Sequence, residues 1–207
     1  MIELYTDSSP NGFKITILLE ELALPYRLHT VNIDKGEHKQ ADFLNLNPHG
    51  RIPVITDTET GITLFESAAI LLYLAEKTGK LLDRDLRIRW ETIKWLQFHS
   101  ASVGPMLGQR VHFEIFSELQ IPEAIQRYQH LSDNALSVLN NQLQHHRYLA
   151  GEQYSIADIA NFGWLHIARI VNFDFSRFEH LCAWYERIAK RPAVVKGITL
   201  PAPATGA

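Results

Sequence analysis

One cysteine, Cys182, among 207 residues leaves no partner for a disulfide within the chain and excludes a metal cluster built on thiols. Ten histidines are present, but His145-His146 and the others lack ligand spacing with acids or cysteines, so no metal is expected. Neither sign of charge is in real excess. Twenty Lys and Arg against 23 Asp and Glu give a net charge of −3, which supplies no electrostatic footprint for nucleic acid or an anionic membrane. Long apolar runs are missing too: the longest, Ala68 to Ala75, is far too short to cross a bilayer, which takes about 20 residues. The start, Ile2-Glu3-Leu4-Tyr5, has no charged region leading into an apolar core, so no signal peptide is expected and the cytoplasm is the expected location. What is there is ordinary for a folded chain: 46% hydrophobic and 21% charged residues, too apolar for disorder.

The first eighty residues alternate between strand and helix signals. Residues 2–5 read as a strand, followed by the turn Asp7-Ser8-Ser9-Pro10-Asn11-Gly12. Ile15, Leu18, Leu19 and Leu22 recur at helical spacing and carry a helix to about Leu22. Tyr26–Val31 is a second strand by composition; Arg51–Ile55 and Ile62–Phe65 are two more, and the turn Asp57–Gly61 between them predicts an antiparallel hairpin. Glu66-Ser67 opens an apolar helix that stops near Gly79. This order, βαβ, short helix, ββα, describes an α/β unit on a mixed sheet. After Leu82 the pattern is helical almost throughout, with breaks expected at Gly104-Pro105, Ile121-Pro122, Leu149–Gly151 and Arg191-Pro192, and a tail from Pro201 expected to fray. Two domains are expected, at 1–80 and 85–200.

Three segments of the first domain carry chemistry. Pro53 opens a strand, where its missing donor is tolerated; it is either an ordinary edge proline or a cis turn that bares the backbone of Ile52 to a ligand peptide, and spacing alone does not choose. Ser67 suits a helix start, where unpaired N–H groups and the dipole attract a carboxylate, and Glu66 beside it suits an ammonium. The competing reading of Ser67 is a plain N-cap. Ser9-Pro10-Asn11-Gly12 begins the first helix, and a thiol placed there meets the dipole, the Asn11 amide and the Ser9 hydroxyl. Lowering a thiol pKa from about 8.5 by roughly 2 units takes ~2.7 kcal/mol. A helix terminus supplies up to ~2 and a hydrogen bond to a charged group ~1.5–3 kcal/mol, which suffices. No cysteine of the chain lies there, so the thiol belongs to a ligand.

Taken together, the SerProAsnGly helix start, Asn47-Pro-His-Gly-Arg-Ile-Pro53 and Leu64-Phe-Glu-Ser67 make the chain resemble the glutathione-transferase superfamily over nearly its full length. Tyr148-Leu-Ala-Gly-Glu-Gln-Tyr-Ser155-Ile-Ala-Asp158 is similar to that family's buried capping box, with Ser155 as the cap and Asp158 reaching back. Ser9–Ile15, Phe65–Leu74, Gly104–Gln109 and Ile125–Tyr128 are most similar to the bacterial nu class, glutathione-dependent disulfide-bond reductases with weak transferase activity. The resemblance implies a thioredoxin-like α/β N-terminal domain that binds glutathione, an all-helical C-terminal domain that forms a wall for the second substrate, and a homodimer. It implies that Asn11 orients the glutathione sulfur; that the Ile52 backbone pairs with the cysteinyl unit; that Glu66 and Ser67 hold the γ-glutamyl end; and that Arg127 offers a positive charge at the mouth of the site. Ser9 has the right chemistry for the sulfur but precedes Pro10, which fixes a turn, so it ranks second to Asn11. His38 stands where the subgroup has a glutathione-contacting glutamine, and Ser9 where it often has threonine.

The implied reaction uses glutathione as bound co-substrate against a small disulfide or electrophile, with no metal, nucleic acid or membrane. Thiolate attack on a disulfide passes through a mixed disulfide that a second glutathione resolves, without any protein cysteine. The alternatives on the same fold are a conjugating transferase or peroxidase and a non-catalytic glutathione-binding regulator. Tyr5, the thiol-activating type of residue in other classes, is read as packing within its strand. Cys182, between Leu181 and Trp184, is read as a buried inert thiol, and Trp90, Trp95 and Phe98 are read as core.

Overall fold

The computed structural model describes residues 1–202, which gather into two compact units: Met1–Lys80 with the chain from Lys190 onward, and Leu81–Ala189. The first unit begins β1 (Ile2–Thr6), α1 (Pro10–Leu22), β2 (Tyr26–Thr30), α2 (Ala41–Leu46), β3 (Val54–Asp57), β4 (Ile62–Phe65) and α3 (Ser67–Thr78). Its sheet runs β2-β1-β3-β4, with β1 parallel to β2 and antiparallel to β3, and β3 antiparallel to β4. Leu4 sits at the centre of this register, between Leu28 and Ile55. Strand alternation buries Ile2, Leu4 and Thr6 and leaves Glu3 and Tyr5 half exposed, as a period of two dictates.

Helix α1 forms because its ends are specified as well as its apolar faces. Ser9 Oγ accepts from Gly12 N at 3.0 Å and Pro10 takes the first turn, where no N–H is needed. A left-handed Ala23 (φ 52°) closes it. From Gly12 to Leu19 every residue is buried. Gly12 is required by a close approach: a Cβ there would lie 2.4 Å from the Asp7 carbonyl and 2.5 Å from Thr6 Oγ1, so the helix starts hard against the end of β1. Gly79 in the left-handed region (φ 66°) stops α3.

The second unit is helical: α4 (Leu86–Phe98), α5 (Gly104–Val111), α6 (Pro122–Leu143), α7 (Ile156–Ile170) and α8 (Glu179–Ala189). Asp85 caps α4 by accepting from the N–H groups of Arg87 and Ile88. Helix α7 is the buried centre of this unit, flanked by α4, α5 and α8. The Ser155–Asp158 capping box is formed, both halves of it. The last helix, α9 (Pro192–Gly197), packs on α1, where Thr16 Oγ1 donates to the Gly197 carbonyl at 2.7 Å. Only a glycine fits at 197, since an added Cβ would come within 2.7 Å of the Ile17 backbone.

Three sequence expectations need correction. Gly104-Pro105 does not break the chain of helix: α4 runs through a π-helical turn, His99–Val103, directly into α5, because Pro105 falls in the first turn of α5, where its missing N–H is harmless. The third strand starts at Val54, not Arg51. Trp90 is no core residue; it is 60% exposed, while Trp95 is buried and meets Phe98 edge-on at 5.6 Å. Of the tail expected to fray, Pro201 is buried, Ala202 is exposed, and residues 203–207 lie outside the described residues.

Candidate functional site

The end of β1 and the start of α1 deliver Ser9 and Asn11 to one place. Asp7 organises the connection: its carboxylate accepts from Ser8 N at 2.8 Å and from Ile33 N at 3.0 Å. Ser9 Oγ is engaged as the helix cap. Asn11, half-buried in the first turn, accepts through Oδ1 from Lys14 Nζ at 2.8 Å. The same Nζ donates to Ser67 Oγ, at the start of α3, at 3.1 Å. One lysine, 53 residues before Ser67 in sequence, therefore ties the starts of two helices together.

Lys14 is only 2% exposed. Burial lowers its pKa from 10.5 to about 7, against the opposing pull of the Glu66 carboxylate. Sequence reasoning gave this residue no role. The available signal was a single charged side chain inside the buried run Gly12–Leu19: a lysine at such a position needs partners, and one of them, Asn11, stands three residues away on the same helical face.

Ser67 is not the N-cap of α3. Glu66 occupies that position with φ 69° and ψ 109° and makes no side-chain capping bond, so the Ser67 hydroxyl is left to meet Lys14. A non-glycine residue at positive φ costs about 1–3 kcal/mol, and such strain concentrates at functional positions. The bend leaves the Glu66 side chain exposed beside the positive end of the helix.

Ile52 precedes β3, and the Ile52–Pro53 peptide is cis. Its side chain packs, with those of Tyr5 and Leu46, against Val31, Phe43 and Val54. Tyr5 also stacks on His29 with ring centroids 4.6 Å apart, which holds the phenol ring in the sheet's side-chain layer. His38 lies in a short 3-10 turn, Glu37–Lys39, with its Nδ1 buried and without a hydrogen-bond partner. Its carbonyl approaches Gly50, which adopts φ 62° and has no space for a Cβ.

In the second unit, Arg127 is exposed on α6 and lines a groove along that helix with Glu123, Gln126, His130 and Leu131. Cys182 is half-buried rather than buried, and its thiol donates to the Phe175 carbonyl at 3.3 Å. Desolvation pushes its pKa up, which disfavours the thiolate. Among the described residues no group of three or more His, Cys, Asp or Glu side chains is placed to hold a metal ion.

Comparison with known proteins agrees with this geometry. Residues 8–77 match the N-terminal domain of glutathione S-transferase and residues 112–192 its C-terminal domain. The chain is similar to the disulfide-bond oxidoreductase YfcG of Escherichia coli strain K12, at 43% identity over 93% of this chain and 92% of that one. It is similar to the disulfide-bond oxidoreductase YghU of the same strain at 35% identity, covering 95% of this chain and 73% of the other. A crystal structure of a glutathione transferase from Pseudomonas putida, with one glutathione disulfide bound per subunit, superposes with a TM-score of 0.91 at 37% identity, covering 97% and 91% of the two chains. A four-stranded mixed sheet whose helices α1 and α3 start at Pro10 and Ser67, followed by a helical unit with a buried capping box and matched along both parts, means that the chain belongs to the glutathione transferase family.

Proposed function

We propose that the protein is a glutathione-dependent disulfide reductase whose glutathione site lies in residues 1–80. The observation that carries this reading is the tether between two helix starts: Asn11 and Ser67 share one buried lysine. Each helix start presents the positive end of a helix dipole to an anion. One suits a thiolate, next to the Asn11 amide and the Ser9 cap; the other suits an α-carboxylate, next to the Ser67 hydroxyl. The exposed Glu66 carboxylate takes the α-ammonium of the same γ-glutamyl group. The Ile52 backbone pairs with the cysteinyl unit, and His38 contributes the unpartnered Nδ1 of its ring. Arg127, on α6, is the remaining residue that the family resemblance assigns to glutathione, through its positive charge.

Bound as a thiolate, glutathione supplies the nucleophile: it attacks one sulfur of a disulfide, releases the other as a thiol, and a second glutathione completes the exchange to glutathione disulfide. The chain's own task is to hold that sulfur ionised and aimed. The likeness to two disulfide-bond oxidoreductases favours this second substrate over an electrophilic carbon. The lone Cys182, with its raised pKa, has no part in the exchange. A homodimer in the cytoplasm is part of the proposal. The edge strand β4 exposes Ile62 and Phe65, and apolar side chains on an unpaired edge suit an interface.

The test is a panel of glutathione with hydroxyethyl disulfide, with an aromatic halide and with an organic hydroperoxide. Turnover is expected with the disulfide well above the other two. Glutathione binding without turnover in all three contradicts the proposal and favours a regulator.

A further inference from the structure

Asparagine has two faces, an acceptor oxygen and a donor NH2, and a hydroxyl both donates and accepts. Neither is committed by its own chemistry to serve an anion. A lysine ammonium donates only, with three N–H groups and no acceptor. Lys14 Nζ stands 2.8 Å from Asn11 Oδ1 and 3.1 Å from Ser67 Oγ, so both oxygens act as acceptors toward it. With the Asn11 amide oxygen turned to the lysine, the donor side of the same planar amide is its NH2. The Ser67 oxygen accepts from the lysine, and its hydroxyl retains one hydrogen to donate.

We propose that Lys14 is a positioning residue that sets the polarity of the site: by engaging Asn11 Oδ1 and Ser67 Oγ from below, it turns the Asn11 N–H2 toward the glutathione sulfur and the Ser67 O–H toward the γ-glutamyl carboxylate. This deepens the glutathione reading given above and rests on it. The arrangement explains why a charged side chain is kept in the buried run Gly12–Leu19. It also explains why Ser67 stands inside α3 rather than at its cap. The i, i+3 relation sets Lys14 beside Asn11, and its long side chain reaches the start of α3. Two anions held close by favour the charged form of Lys14, which is the form that has no acceptor and leaves the amide no alternative orientation. Glu66, the acid whose charge acts on Lys14, works in the same direction.

The experiment titrates the ultraviolet absorbance of bound glutathione thiolate in the wild type, Lys14→Met, Asn11→Ala, the double variant and Asn11→Asp, with affinity measured by calorimetry in parallel. Lys14→Met is expected to raise the thiol pKa by about one unit, which is tenfold less thiolate at neutral pH. The double variant is expected to raise it no further than the larger single change, since Lys14 acts on the sulfur through Asn11. Asn11→Asp keeps an acceptor for Lys14 but has no N–H2 to present, so it is expected to raise the thiol pKa at least as much as Asn11→Ala; this arm stands even if Lys14→Met does not fold. A normal thiol pKa in Lys14→Met or in Asn11→Asp overturns the inference, as does an additive double variant. Failure of the wild type to bind glutathione at all overturns the site reading itself, and is told apart by calorimetry before any variant is made.

Discussion

Each unit buries a charged side chain on one of its helices, Lys14 in the first and Asp158 in the second, and the two are handled in opposite ways. Asp158, in α7, spends its carboxylate wholly on the fold: it accepts from Leu149 N at 3.0 Å, Ser155 N at 2.9 Å, Ser155 Oγ at 3.1 Å and Trp184 Nε1 at 2.8 Å. Lys14, in α1, donates to two groups that are themselves only partly buried, Asn11 and Ser67. The first charge knits the loop at Leu149 and the helices α7 and α8 into one core. The second is placed to act on something beyond the side chains it touches. A buried ion whose partners are all buried is a structural device; one whose partners face outward is a candidate for function.

Breaking the structural partner should give the largest effect. Asp158→Ala leaves buried N–H donors on Leu149, Ser155 and Trp184 without an acceptor, and each such orphan costs about 1–3 kcal/mol. A loss of about 3–5 kcal/mol is expected in urea unfolding of the variant. A change under 1 kcal/mol would show that the network is slack.

Titration sharpens the contrast next. Lys14 falls from 10.5 to about 7 on folding, so between those values the unfolded chain holds a proton that the folded chain has released. Stability contributed by this group therefore rises with pH from about 7 to about 10.5 and is flat below 7, where both states are protonated. Asp158 moves the other way: burial raises its pKa despite four hydrogen bonds, so its contribution falls as pH climbs from 3.8 through the folded value. Comparing urea midpoints of wild type and Lys14→Met from pH 7 to 10 should show a rise, worth up to a few kcal/mol, that only the wild type has. Parallel pH profiles would mean that Lys14 is neither desolvated nor coupled to the fold as described.

At the site itself, effects should fall first on glutathione. Asn11→Ala is expected to lower disulfide reduction at least about tenfold, ~1.4 kcal/mol in the barrier. Ser67→Ala is expected to weaken glutathione binding by ~1–3 kcal/mol, the cost of an underpaired charged group. Unchanged affinity by calorimetry would remove Ser67 from the site. The smallest effect is expected at Cys182→Ser, where a polar hydroxyl replaces a half-buried thiol that already donates to Phe175 O. About 1 kcal/mol of stability is at stake and no disulfide reductase activity. Loss of activity in the folded variant would contradict the ligand-thiol mechanism.

The same contrast explains what was legible in the sequence. The capping box is local, with Ser155 and Asp158 three residues apart, so its pattern can be read directly. The limits of α1 and α3 were also local, written by Ser9-Pro10 at one start and Gly79 at the other end. The lysine tether is not local: Ser67 lies 53 residues from Lys14, and no periodicity predicts that meeting. Ser67 was legible as a helix start but not as the partner of a buried cation, because the unusual φ of Glu66 moves the cap back by one residue. Gly104-Pro105 misled because proline breaks a helix only where its N–H is needed, and Trp90 because a helical stripe does not by itself reveal which side is covered.

Asn11 is the residue proposed to keep the glutathione sulfur ionised. Ser9 Oγ is already engaged by Gly12 N, and the Tyr5 ring is stacked on His29. The most direct test is a pH titration of the bound thiolate's ultraviolet absorbance in Asn11→Ala, Ser9→Ala and Tyr5→Phe. The account predicts the largest rise in thiol pKa for Asn11→Ala, a smaller one for Ser9→Ala and almost none for Tyr5→Phe. A rise confined to Tyr5→Phe would contradict it and make this a tyrosine-type transferase.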